Sequence, residues 1–120
     1  MILVDTNTWV HHLRSGDSRL VALLHQNRVV TSDVVIGELL LGAGLPASFL
    51  RLLDALPRVA SPTAAQTRDF IDRHRRAFRG SGVGWADAQI ILAAVSAGAL
   101  MHSSDGAVRS VWRKLGFGLA

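Results

Sequence analysis

The chain has 120 residues and a mass of 12.9 kDa, a size that favours one domain whose core buries about two-thirds of its surface. Apolar residues make up 49% and charged residues 18%, which excludes a disordered chain, and the longest apolar run, Ile90 to Val95, is far shorter than the roughly 20 residues that span a bilayer. The net charge is +4, with Arg supplying all of the cations except Lys114; Arg forks bind phosphate bidentately and predict a polyanionic partner, although genomic base composition is a competing source of the bias.

Taken in chain order, Ile2-Leu3-Val4 reads as a first strand, and Leu20, Leu23 and Leu24 keep helical spacing after it. Val29-Val30-Thr31 reads as a second strand, followed by a helix that carries Glu38 and ends at the Gly42-Ala43-Gly44 and Pro46 break. Phe49, Leu52, Leu53 and Leu56 mark the next helix, and Val59-Ala60, between Pro57 and Pro62, a weak third strand. Phe70, Ile71, His74 and Phe78 are spaced as one helix. Trp85 to Ala97, with only Asp87, Gln89 and Ser96 as polar members, predicts a helix deep in the fold. Ala99 to His102 reads as a fourth strand, and Val108, Val111, Trp112 and Leu115 as a last helix. This alternation predicts an α/β fold with a mostly parallel sheet covered by helices on both faces. No linker or repeat interrupts it, so residues 1–120 are expected to form one domain.

In such a sheet, ligands collect at the carboxyl ends of the strands. Asp5 ends the first strand, and Asp105 lies three residues beyond the fourth. The helix from Asp87 descends roughly 20 Å at 1.5 Å per residue, and the strand and turn after it climb back about as far, so Asp87 and Asp105 return to the same edge. Glu38, within two turns of the start of its helix, reaches that edge as well. Each acid also has a plainer role: Asp105 as a helix cap, Asp87 as a partner of the helix dipole, Glu38 as a solvated helix residue. Asp5 has no cation nearby in sequence and is expected to contribute little to the fold. Asp17, Asp33, Asp54, Asp69 and Asp72 read as caps or solvated helix faces.

Four converging carboxylates repel one another unless a hard cation sits among them. With cysteine absent, there is no disulfide framework, thiolate nucleophile or thiolate zinc site; oxygen-only ligation suits Mg²⁺ or Mn²⁺. Such an ion activates water and orients a phosphodiester, and a basic surface around it would hold a nucleic-acid backbone. The residue chemistry therefore points to a metal-dependent nuclease.

The opening Ile2-Leu3-Val4-Asp5-Thr6-Asn7, the Val35-Ile36-Gly37-Glu38-Leu39 helix, the Asp87-Ala88-Gln89-Ile90 turn and the late Ser103-Ser104-Asp105 together resemble PIN-domain ribonucleases, most closely VapC-type toxins of bacterial toxin–antitoxin pairs. The resemblance covers the whole chain in order. It implies a three-layer α/β/α sandwich in which Asp5, Glu38, Asp87 and Asp105 are catalytic and hold one or two Mg²⁺ or Mn²⁺ ions, with Thr6, Asn7 and Ser103 supporting them. Many relatives carry a further acid where Gly106 and Ala107 stand here. It also implies an endoribonuclease toxin acting on cellular RNA, neutralised by a cognate antitoxin, and the apolar Leu39 to Leu45 segment suggests a homodimer or antitoxin contact.

Arg73, Arg75, Arg76 and Arg79 form a basic strip that reads either as an RNA-backbone clamp or as a solvated face. His11 and His12 read as surface or packed residues, Trp112 as core, and Trp9 as core or partner-facing. Gly80, Gly82 and Gly84 lack the ending of a phosphate loop. Two other readings remain open at this level. A haloacid-dehalogenase-like phosphatase would need a second Asp where Asn7 stands and would have to use Lys114, while a non-catalytic RNA-binding module would use the Arg surface alone. With Asp5 directly after Met1-Ile2-Leu3-Val4, no secretory pattern is present, and a cytoplasmic chain without membrane contact is expected.

Overall fold

The structure, a computed structural model, describes residues 1–42, 44–118 and 120; Ala43, in the middle of the expected Gly42-Ala43-Gly44 break, lies outside the described residues. The elements run β1 (Ile2–Val4), α1 (Thr6–Ser15), α2 (Ser18–His25), β2 (Val29–Val30), α3 (Asp33–Leu41), α4 (Ala47–Ala55), α5 (Ala64–Arg73), α6 (Arg75–Phe78), α7 (Trp85–Ala97), β3 (Leu100–His102) and α8 (Gly106–Lys114). The sheet is parallel with order β2-β1-β3, pairing Ile2 with Val29 and Leu100, and Leu3 with Val30 and Met101. Successive strand residues point to opposite faces, and Ile2, Leu3 and Val4 are all fully buried. Both faces of the central strand are therefore covered, as expected of a parallel sheet between helical layers.

The expected strand at Val59-Ala60 shrinks to a single parallel bridge between Thr31 and Arg58. There the Thr31 N–H donates to the Pro57 carbonyl and the Val59 N–H to the Thr31 carbonyl, each at 2.9 Å. Pro57 and Pro62 lack the N–H groups that would extend the ladder. The single helix expected through Phe70 and Phe78 breaks at His74, which closes α5 and opens α6 (φ −116°, ψ 33°) while its ring packs 4.9 Å from Phe70. The polar run Thr6–Ser15, read above as neither helix nor strand, forms α1 and buries Trp9 and Thr8.

Helix α7 buries Ala88, Ile90, Ile91, Ala93 and Ala94, as its composition predicts, but its first residue, Trp85, is 46% exposed. The helix stops at Gly98, whose left-handed φ of 65° lets its N–H reach the Ala94 and Val95 carbonyls and turns the chain straight into β3. Trp112 closes the core under α8 and donates from Nε1 to the Gly118 carbonyl at 2.7 Å.

A tie invisible in local sequence joins β3 to α2. His102 Nε2 lies 2.8 Å from Asp17 Oδ2, with both side chains mostly buried, while Asp17 Oδ1 accepts from the Leu20 N–H and caps α2. Asp17→Ala removes cap and tie together and is expected to cost about 1 to 3 kcal/mol. Asp33→Ala, which touches a carboxylate that is 75% exposed, should cost under about 1 kcal/mol. Thermal melts of the two variants check the difference.

Candidate active site

Because β1 is central, the crossover to β2 and the return to β3 fall on opposite sides of it, and the crevice of such a sheet opens beyond the carboxyl end of that strand. Asp5 stands there. Its extended backbone (φ −76°, ψ 167°) starts α1. Oδ1 accepts from the Thr8 N–H at 3.2 Å and from the Thr8 hydroxyl, and Oδ2 accepts from the Ser103 hydroxyl at 2.6 Å. The expectation that Asp5 contributes little to the fold is thus corrected: it caps α1 and pins the end of β3 to it. Thr8, which sequence reading passed over, is the other half of this joint, since its Oγ1 also accepts from the Ser104 N–H at 2.8 Å. An Asp followed three residues later by Thr, just after a strand, was the available signal.

The other three acids arrive from separate elements. Glu38, in α3, accepts from the Thr6 hydroxyl at 3.3 Å. Asp105 caps α8, with Oδ1 accepting from the Ala107 and Val108 N–H groups at 2.8 and 3.2 Å. Its Oδ2 accepts from Asn7 Nδ2 at 2.9 Å, and its own N–H donates to Ser103 Oγ at 3.1 Å. Asp87 sits in the first turn of α7. Thr6, Asn7 and Ser103 therefore each hold one carboxylate oxygen of Glu38, Asp105 and Asp5, respectively.

The charges of Asp5, Glu38 and Asp105 all act on Asp87, and together with burial, the larger cause, they push its carboxyl up to about 6. Burial also raises Asp5, against the opposing donors on Ser103 and Thr8. Asp105 feels burial too, yet the Val108, Asn7 and Ala107 donors outweigh it and hold the carboxyl below its usual range. Every other acid has a basic partner within 4 Å: Asp33 and Asp54 have Arg58, Asp69 has Arg73, Asp72 has Arg75 and Asp17 has the His102 imidazole. Among the described residues, Asp5, Glu38, Asp87 and Asp105 have none. No three acids or imidazoles among the described residues close into a finished cation cage.

Among the described residues, no imidazole is hydrogen-bonded to any of these four acids. His102 faces Asp17, on the opposite side of β3 from Ser103, and His12 Nδ1 accepts from the Asp17 N–H at 3.0 Å; His11, His25 and His74 are exposed. Lys114 ends α8, whose cap is Asp105, so the length of the helix, about 13 Å at 1.5 Å per residue, removes it from the acids and from a phosphatase role. Arg75, Arg76 and Arg79 line one groove. Arg73 is turned to Asp69 at 3.0 Å and borders a separate groove with Lys114.

The raised Asp87 carboxyl has a stability consequence in chelator. Its unfolded value is near 3.8 and its folded value about 6, so its contribution is fully present below pH 3.8 and lost as pH rises through 6. The shift corresponds to at most about 3 kcal/mol, and solvent access to the cleft reduces this to about 1 to 2 kcal/mol. Asp87→Asn is expected to flatten the stability profile between pH 4 and 6, as read by melts in EDTA. At Asp5, Asn keeps the cap and relieves repulsion, so Asp5→Asn should stay within about 1 kcal/mol of wild type in EDTA. Asp5→Ala strands the buried donors of Thr8 and Ser103 and should cost about 2 to 4 kcal/mol.

Comparison with known proteins agrees with this geometry. The family model of the PIN domain matches residues 2–113. Ribonuclease VapC32 of Mycobacterium tuberculosis, from strain CDC 1551 / Oshkosh and from strain ATCC 25618 / H37Rv, is 34% identical over 122 residues, covering 100% of this chain and 97% of the relative. The crystal structure of FitAcB from Neisseria gonorrhoeae superposes with a TM-score of 0.57 at 25% identity, covering 92% of this chain and 93% of the other. With an α/β sandwich whose four unpaired acids lie along one sheet edge, the chain belongs to the PIN domain family, among the VapC-type ribonucleases.

Proposed function

We propose that residues 1–120 act as one metal-dependent endoribonuclease toxin, cutting cellular RNA in the cytoplasm and neutralised by a cognate antitoxin. The observation that carries this reading is the division of the acids: four are paired with Arg and one with the His102 imidazole, while the four without such a partner come close enough for three of them to act on Asp87; Arg75, Arg76 and Arg79 line a groove of their own. The name of the tuberculosis relatives, a ribonuclease, supports RNA as the substrate. No helix among the described residues is long and apolar enough to cross a membrane.

Asp5, Glu38, Asp87 and Asp105 fit one or two Mg²⁺ or Mn²⁺ ions, since an all-carboxylate donor set with uncompensated charge suits a hard cation. Such an ion, when bound, lowers the pKa of water and stabilises the departing oxygen of a phosphodiester. The chain's own groups do the positioning. Thr6, Asn7 and Ser103 fix the rotations of Glu38, Asp105 and Asp5, and the Arg side chains hold the RNA backbone to one side of the acids. For the antitoxin, and for a second copy in a homodimer, the support is apolar: Leu40 and Leu41 are 56% and 90% exposed. They adjoin a groove of about 380 Å³ lined by Val10, Leu13, Leu39, Leu45, Pro46 and Glu38. An occupant of that groove would cover one of the four acids.

With carboxylates rather than an imidazole as the candidate catalytic groups, cleavage by an activated water is expected to leave a 5′-phosphate and a 3′-hydroxyl. Sequencing of product ends checks this, and cyclic-phosphate ends would sink the mechanism. Mn²⁺ should raise the melting temperature of wild type but not of Asp87→Asn, whose cleavage should fall by orders of magnitude while RNA binding in EDTA survives; a non-catalytic binding module would show no such stabilisation. Replacing Arg73, Arg75, Arg76 and Arg79 by Gln should weaken RNA binding and flatten its salt dependence by about 0.7 to 0.9 per lost phosphate contact. An unchanged slope returns the strip to a solvated face.

A further inference from the structure

We propose that Trp85 is a stacking platform for an unpaired nucleobase of the RNA, a few nucleotides from the bond that is cut; this rests on the nuclease reading above. Composition places Trp85 inside a buried helix, yet it is 46% exposed, whereas Trp9 and Trp112 are fully buried. It has no aromatic neighbour among the described residues: Trp9 packs on Phe49 and His12, Trp112 on Phe117, and Phe70 on His74 and Phe78. An indole face open to water on a surface rich in Arg is the combination that binds single strands, with the ring taking a base and the guanidinium groups the phosphates.

Two grooves meet at the ring. One, of about 590 Å³, contains the carboxylates of Asp69 and Asp72 beside Arg68 and Arg75, so its charge is largely cancelled. The other, of about 390 Å³, has Phe78 and Val83 as apolar walls and Arg75 and Arg79 at its rim. Arg79 has no acidic partner among the described residues, and it continues into the groove it shares with Arg76. The second groove therefore offers an apolar slot and, in Arg79, uncancelled positive charge, since Arg75 is shared with Asp72; this fits a base and its phosphate and disfavours the acid-bearing side.

Position along α7 links this slot to the cleft. Trp85 and Asp87 are two residues apart in the first turn, about 200° around the axis, so they occupy opposite flanks of the same helix end. With side chains a helix is about 10 to 12 Å wide. A strand crossing the end of α7 would lay one nucleotide on Trp85 and present a nearby phosphate to Asp87 and its neighbours. The stack would then fix the register of the strand over the cleft.

Because the other two tryptophans are buried, contact quenching of the intrinsic fluorescence by bound RNA reports on Trp85, above a constant emission from Trp9 and Trp112 that Trp85→Phe measures alone. The test titrates the protein in EDTA with a single-stranded RNA octamer and with an octamer of the same length carrying abasic sites. RNA is expected to quench the fluorescence, and the abasic octamer to bind with the same salt slope but without quenching. Trp85→Ala should weaken RNA binding about tenfold, or about 1.4 kcal/mol, while Trp85→Phe restores most of the affinity. Equal quenching by both octamers, or unchanged affinity in Trp85→Ala, overturns the platform. So does a Trp85→Ala protein that loses self-association in sedimentation, which would assign the ring to a contact between copies. Cleavage assays with Mg²⁺ or Mn²⁺ separate the two readings. Wild type that cuts RNA while Trp85→Ala binds and cuts equally well overturns the platform alone, whereas quenching by RNA with no cleavage under any metal supports the platform and overturns the nuclease.

Discussion

Burying a carboxylate at the end of the central strand is the constraint on which the rest of the site depends. A lone buried charge is costly unless its oxygens are satisfied. In Asp5 they are satisfied by neutral donors only: the N–H and hydroxyl of Thr8 and the hydroxyl of Ser103. Those bonds do structural work, since they start α1, fix the end of β3 against it, and through Ser103 Oγ set the backbone of Asp105. Because none of the donors is a cation, they stabilise the carboxylate without neutralising it. The negative charge is left to act on its neighbours, and it adds to burial, the larger cause, in pushing Asp87 up to about 6.

The helices that hold the remaining acids are anchored independently of that charge. Ser32 caps α3 through the Val35 N–H, Gly98 ends α7, and Asp105 caps α8 with one oxygen while Asn7 holds the other. Like-charge repulsion in the cleft is thus borne by elements whose apolar faces are locked in the core by Val35, Ile36, Leu39, Ile90, Ile91, Val108 and Val111. A site whose groups repel needs this kind of frame, because packing energy summed over many contacts outweighs the few interactions it opposes.

What the sequence made legible follows from the range of each signal. Strands β1, β2 and β3 and helices α2, α4, α7 and α8 showed through because their apolar residues recur at fixed local periods. Helix α1 did not: Thr6–Ser15 is mostly polar and buries only Thr8 and Trp9, so its cause is the cap on Asp5 rather than an apolar stripe. Arg73 with Asp69 and Arg75 with Asp72 are four and three residues apart and could be read from helical spacing. His102 with Asp17, and Ser103 with Asp5, are 85 and 98 residues apart, and only the fold brings them together. The four candidate acids were found because parallel strands deliver their following residues to one edge. The exposure of Trp85 was missed because an apolar run does not show which of its members sits at a helix end.

The separation of charge across the N-terminal end of α7 has a physical consequence for how RNA would approach. Four unpaired carboxylates repel phosphate, so the cleft itself cannot supply the initial attraction. At physiological salt, fields fade within about 8 Å, which means the attracting charge has to lie within a side chain or two of the cleft. The candidate is the groove that Arg75 and Arg79 line together with Gly84 and Trp85, at the end of the helix whose first turn carries Asp87. On the proposed reading, affinity and chemistry would fall to opposite flanks of one helix end: the basic flank would draw and orient the strand, and the acidic flank would accept a phosphate only once its own charge is neutralised.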